Sequence, residues 1–117
     1  MSNGTTLTTD ELDRRLHQRG AFIFWNVLTE EYFSGELIPG SLWVPVDTVG
    51  REAKRLGLSP DAEIVVYCAN PTCPNSTDAA KKLRTLGFTN VRAYEGGLEE
   101  WKASGRQVGR LPARAAA

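Results

Sequence analysis

Apolar residues along this chain come in short blocks, and most blocks end at a glycine, a proline or a small polar residue. Thr8 with Glu11 three positions on forms a capping box, and Leu12 and Leu16 supply the apolar stripe of a first helix that Gly20 should stop. Positions 21–25, ending in Phe24 and Trp25, are continuously apolar and predict a buried strand. Thr29 is placed to cap a short helix carrying Tyr32 and Phe33, closed by Gly35. Ile38-Pro39-Gly40 reads as a turn, 41–46 as a strand, and 48–56 as a helix stopped by Gly57. After a turn at Ser59-Pro60-Asp61, the run 63–67 is the clearest strand of all, β-branched and aromatic throughout its apolar part.

The pattern then repeats. A loop over 68–75 leads into a helix over 76–86, with Ala79, Ala80, Leu83 and Leu86 at helical spacing and Gly87 as its stop. A strand over 91–94, a sharp turn at Gly96-Gly97 and a last helix over 98–103 follow. Residues 109–117 hold little that could be buried and predict a loose tail. Strands alternate with helices throughout, which calls for an α/β fold with a mainly parallel sheet covered on both faces. Ligands of such sheets bind beyond the carboxyl ends of the strands, and the loop at Cys68 lies at one of those ends.

Composition narrows the function classes. At 117 residues the chain is one domain's length. Lys plus Arg balance Asp plus Glu at 14 each, and the short cluster Lys81, Lys82 and Arg84 reads as a solvated helix face. No global field favours nucleic acid or an acidic membrane, so neither is an expected partner. The start of the chain lacks the basic-then-apolar order of a leader, and no run approaches membrane-spanning length; a cytoplasmic location is expected. Two cysteines, Cys68 and Cys73, are too few for a disulfide scaffold, and five positions apart they close only a small ring. With one His, His17, they fall short of a zinc set, and neither metal nor cofactor is expected.

Cys68 is the candidate nucleophile. It stands where a buried strand emerges, and the chain then curls through Ala69, Asn70, Pro71, Thr72, Cys73, Pro74, Asn75 and Ser76 into a helix. A curled loop turns N–H groups inward and the helix N-terminus adds partial positive charge, both of which favour an anion. Such a setting lowers a thiol pKa from about 8.5 to about 7 or below. The other reading is a buried cysteine packing as a small apolar residue.

Several spaced segments carry a family resemblance. They are Tyr32-Phe33-Ser34-Gly35, Ile38-Pro39-Gly40-Ser41, Val44-Pro45, Ile64-Val65-Val66-Tyr67-Cys68, Ala79-Ala80 with Leu83, Gly87-Phe88, Asn90-Val91, and Glu95-Gly96-Gly97-Leu98 with Trp101 and Gly105. In this order they resemble the rhodanese-like family over 7–108. The resemblance implies a three-layer α/β/α domain over 5–108 with a central, mostly parallel five-stranded sheet. It implies a sulfurtransferase in which Cys68 accepts sulfane sulfur as a persulfide and passes it to a thiol, cyanide or a protein acceptor. It makes residues 69–76 the substrate-binding loop, and Gly96, Gly97 and Trp101 supports of the site, which as plain residues read as a turn and a core aromatic. The partners implied are a small sulfur donor and that acceptor.

Departures sharpen the expectation. The family's usual Asp and Arg after the first strand stand here as Asn26 and Leu28, and its usual His before Ile-Pro-Gly is replaced by Glu36-Leu37. The loop carries no charge over 69–75, and Pro71 and Pro74 remove two N–H donors, so thiosulfate turnover should be weak. A cysteine phosphatase needs an Arg five residues after its nucleophile, where Cys73 or Pro74 stands. Cys73 is a candidate resolving thiol that could close on Cys68, or a loop filler that points away. The alternative function is a non-catalytic binding or redox-sensing module using the Cys68/Cys73 pair.

Overall fold

A computed structural model describes residues 6–18 and 22–110. Helix α1 (Thr9–His17) begins with the anticipated capping box: the Glu11 amide donates to Thr8 Oγ1 at 3.1 Å and the Thr8 amide to Glu11 Oε1 at 2.8 Å. Gly20 and Ala21 lie outside the described residues. Strand β1 (Ile23–Asn26) follows, then the short β2 (Glu36–Leu37) and β3 (Leu42–Trp43). A 3-10 turn (Val46–Thr48) opens into α2 (Val49–Leu56), which Gly57 ends in the left-handed conformation at φ 65°. The second half runs β4 (Ile64–Tyr67), α3 (Asn75–Thr85), β5 (Val91–Tyr94), α4 (Gly97–Ala103) and β6 (Gly109–Arg110).

The central sheet has the order β3-β1-β4-β5, and each neighbouring pair is parallel. Thr6 adds a parallel bridge to Ala93 on the far side of β5, with the Leu7 amide bonded to the Ala93 carbonyl at 3.2 Å. Four ladder strands plus this one-bridge neighbour stand where five strands were expected. Helices α2 and α3 cover one face through Val49, Ala53, Ala79, Ala80 and Leu83. Helices α1 and α4 cover the other through Leu12, Leu98 and Trp101. The result is three layers, and strand alternation sends Ile64 and Val66 to the first face and Val65 and Tyr67 to the second.

Three local expectations change. The segment after Thr29 is a single turn, with the Tyr32 and Phe33 amides on the Thr29 carbonyl at 3.0 and 2.9 Å, and no helix follows. Phe33 is instead held against Trp43, ring on ring at 4.2 Å, a contact unavailable to a residue turned into a local helix. The strand expected over 41–46 is regular only at Leu42–Trp43, because the Val46 amide takes the Val27 carbonyl, one residue short of the regular ladder step after Val44. The chain still runs beside β1, with the Val44 and Val46 amides on the Asn26 and Val27 carbonyls at 2.8 and 3.1 Å. The tail expected to be loose from Gly109 begins with a pairing: β6 is antiparallel to β2, with Leu37 opposite Gly109. Residues 111–117 lie outside the described residues.

Candidate active site

β4 lies between β1 and β5, and all four of its residues are fully buried. Cys68 is the next residue, so its position is set by the most enclosed strand of the sheet. Beyond it the chain makes a tight turn. Asn70 Oδ1 accepts from the Thr72 amide at 3.1 Å and the Thr72 hydroxyl at 2.8 Å, and the Asn70 carbonyl accepts from the Cys73 amide at 3.1 Å. Pro74 then precedes α3, its carbonyl taking the Asp78 amide at 2.9 Å.

Two helix starts converge on this loop. The first turn of α3 brings the Ser76 hydroxyl to 3.6 Å from Cys68 Sγ. The Ser76 amide, a first-turn N–H without a helical partner, likewise acts to lower the thiol's pKa. The first turn of α4 holds the loop from below: the Leu98 amide donates to the Cys68 carbonyl at 3.0 Å and the Glu99 amide to the Ala69 carbonyl at 2.8 Å. Gly97 makes that approach feasible. Its φ is 65°, and a Cβ there would lie 2.5 Å from the Cys68 carbonyl oxygen. At Gly96, by contrast, a Cβ would meet chiefly the movable Glu100 side chain. The pair of glycines was legible in the sequence; that the second one seats the nucleophile's own carbonyl was not.

Sγ faces carbonyls as well as donors. The thiol donates to the Cys73 carbonyl at 3.4 Å, and the Asn70 carbonyl stands at 4.0 Å. Burial pushes the Cys68 thiol up from its ordinary pKa, the Cys73 side chain adds to that, and Ser76 works against it. A thiol lowered by the loop and helix is the sequence expectation; the enclosed sulfur is instead pushed upward. The reason is that desolvation outweighs a single residue's donors. The Thr72 and Cys73 amides are already engaged with Asn70, and the two prolines have none to offer.

The remaining sequence candidates separate cleanly. Asn26 is fully buried, takes the Leu28 amide on Oδ1 at 3.0 Å and reaches the Glu36 carbonyl with Nδ2 at 3.4 Å. A neutral amide thus shapes the end of β1, and Leu28 packs in the same cluster as Cys68. Trp101 is a core ring, edge-on to Tyr94 at 6.4 Å with its indole N–H on the Gln107 carbonyl at 2.8 Å. His17 is exposed and pairs with Asp13 on its own helix. Among the described residues no group of three or more His, Cys, Asp or Glu is placed to hold a metal ion, and no helix is long and apolar enough to cross a membrane.

One support escaped the sequence reading. The Tyr67 hydroxyl, next to Cys68 in the chain, takes the Ile38 amide at 2.9 Å and bonds Ser41 Oγ at 2.7 Å, which ties the Ile38-Pro39-Gly40 turn to the end of β4. A tyrosine closing a buried strand needs such a partner, and that was the available signal.

The family model for the rhodanese-like domain matches residues 8–104. The chain belongs to the rhodanese-like family. This rhodanese-like domain is 31% identical over 103 residues to the HTH-type transcriptional regulator Rv0324 of Mycobacterium tuberculosis, a match covering 87% of the chain and 43% of the regulator. The chain therefore spans less than half of that relative. Among solved structures it resembles the BH2092 protein of Bacillus halodurans, with a TM-score of 0.80 and 26% identity over 97% of this chain and 82% of that one. It also shares the fold of the human single-domain sulfurtransferase TSTD1, with a TM-score of 0.68 and 24% identity over 84% of this chain and 95% of that one.

Proposed function

We propose that this rhodanese-like domain is a sulfurtransferase in which Cys68 takes sulfane sulfur from a small donor and hands it to a thiol, cyanide or a protein acceptor. The observation that carries the reading is the seat of one thiol at the carboxyl end of the central strand, with the Ser76 hydroxyl 3.6 Å away and the loop carbonyls pinned by α4. With a persulfide donor the reaction balances simply. The Cys68 sulfur bonds to the donor's outer sulfur, the donor's S–S bond breaks, and the remaining thiol leaves with the electron pair and a proton. Residues 69–76 form the loop that receives the donor. In the resting conformation Cys68 is fully buried, so loading requires that loop to move outward.

The donor class follows from charge. The loop over 69–75 carries no charged side chain, two of its amides are engaged internally, and Leu28 and Phe33 pack in the cluster around Cys68. A dianion such as thiosulfate meets little compensation there, while a low-charge persulfide or polysulfide loses less on entering. The two free thiols suit a reducing compartment, which supports a cytoplasmic location. Neither cofactor nor metal, and neither nucleic acid nor membrane, enters this scheme.

The test is intact-mass measurement after separate incubation with thiosulfate and with glutathione persulfide. A gain of one sulfur from the persulfide, much less from thiosulfate, and none in Cys68→Ser is the expected result. A folded protein that gains sulfur from neither donor would leave a second reading, a non-catalytic binding or redox-sensing module. The relative named as a transcriptional regulator and the upward-shifted, buried thiol favour that second reading.

A further inference from the structure

Cys68 and Cys73 are both free, and they differ in how solution reaches them. Cys68 is wholly enclosed, whereas Cys73 is half-buried and packs against the same apolar cluster from the rim of the loop. The turn between them is tied twice, by the Asn70 side chain to Thr72 and by the Asn70 carbonyl to the Cys73 amide. Pro71 restricts the backbone within it and Pro74 directly after it. The turn brings Cys73 back over Cys68, with its carbonyl 3.4 Å from Sγ. The Cys73 side chain also adds to the upward shift of the Cys68 thiol.

That arrangement selects who can attack the sulfur of Cys68. A thiol from solution must first displace the loop, while Cys73 is part of it and acts at the high effective concentration of a tethered group. We infer that Cys73 is a resolving thiol, which discharges a persulfide on Cys68 as hydrosulfide and leaves a Cys68–Cys73 disulfide across the loop. In the step, Cys73 gives its proton to solvent and its thiolate bonds to Cys68 Sγ. The bond from Sγ to the outer sulfur breaks, and that sulfur leaves with the electron pair as hydrosulfide. An external dithiol, or two monothiols, then reduces the disulfide and restores both cysteines. The same thiol resolves a Cys68 sulfenic acid formed by peroxide, with water as the leaving product. The persulfide step rests on the function proposed above; the sulfenic acid step does not.

The experiment uses the full chain under anaerobic conditions with two oxidants in parallel, glutathione persulfide and one equivalent of hydrogen peroxide, followed by alkylation and intact and peptide mass analysis. With the persulfide, the wild type should gain one sulfur briefly, then finish two hydrogens lighter with one hydrosulfide released per chain. Cys73→Ser and Cys73→Ala should keep the extra sulfur on Cys68 for about tenfold longer or more, having lost the tethered thiol. A wild type that retains the sulfur as long as those variants, on either cysteine, overturns the inference. Should the donor load neither protein, the peroxide arm decides. A Cys68–Cys73 disulfide there upholds the resolving role while the sulfurtransferase reading falls, and a Cys73 that stays alkylatable sinks the resolving role itself.

Discussion

The face of the sheet under α2 and α3 is lined mainly with hydrocarbon: Val27, Val46, Val49, Ile64, Val66, Leu83 and Val91 meet there around Trp25. The opposite face, under α1 and α4, carries Phe24, Tyr67, Tyr94 and Trp101, and with them the thiol of Cys68. Its two tyrosine hydroxyls are paired, Tyr67 with Ser41 and Ile38, Tyr94 with the Thr9 hydroxyl at 2.6 Å. The difference teaches where a reactive group can be kept. An aliphatic layer depends on volume and offers a polar atom few partners, while a layer of hydrogen-bonded aromatics can hold a thiol among fixed donors and acceptors. Cys68 reaches that second face against the strand period. After Tyr67 the alternation would send it to the aliphatic side, but the strand ends there and the loop turns it back.

The comparison can be broken most severely from the aliphatic side. Leu83→Ala removes a fully buried side chain and should cost about 3 kcal/mol in chemical denaturation while leaving the labelling rate of Cys68 in the folded state unchanged. A faster Cys68 in that variant would mean the two faces are not independent. Gly97→Ala acts from the site side. Its strained φ and its clash with the Cys68 carbonyl should cost about 2 kcal/mol and also speed alkylation of Cys68 as the loop is pushed away. Unaltered alkylation at that lower stability would show the loop does not depend on α4.

Tyr67→Phe deletes one hydroxyl and leaves the Ile38 amide without its partner, a loss of about 1–2 kcal/mol by thermal or denaturant unfolding. A neutral result would mean water replaces the hydroxyl. The smallest effect belongs to the far end of the sheet, where Glu63 meets Arg15 at 2.7 Å and Arg92 at 3.6 Å. The hydrogen bond from Arg15 holds the Glu63 carboxyl below its ordinary pKa. Its contribution is therefore complete above the unfolded value near 4.3 and is lost as pH falls through the lowered folded value. Glu63→Gln should cost no more than about 1 kcal/mol at neutral pH, since the pair is partly exposed and screened, and the difference from wild type should vanish in acid. A gap that persists there would assign the loss to packing instead of charge.

Much of the fold was legible before any coordinates. The capping box at Thr8, a strand ending at Tyr67, a helix after the Cys68 loop and the strand over 91–94 follow from local periodicity and turn chemistry, which act between near neighbours. The short pieces were harder. Whether the residues after Thr29 coil, or where the strand at Leu42 stops, is decided by Phe33 finding Trp43 and by the Val46 amide taking the Val27 carbonyl, and neither contact is local. The pairing of Gly109 with Leu37 joins positions that no sequence window spans.

At the site the same division holds. The sequence by itself determined that a thiol follows the most buried strand, that a proline-bounded uncharged loop leads it to a helix, and that a second thiol lies within that loop. Only the tertiary structure decided that Cys68 is sealed with its thiol pKa pushed up, that α4 holds its carbonyl through Gly97, and that the Cys73 carbonyl stands beside its sulfur. Burial depends on everything packed around an atom, and so does its pKa. Those sums run over residues distant in the chain, and folding alone assembles them.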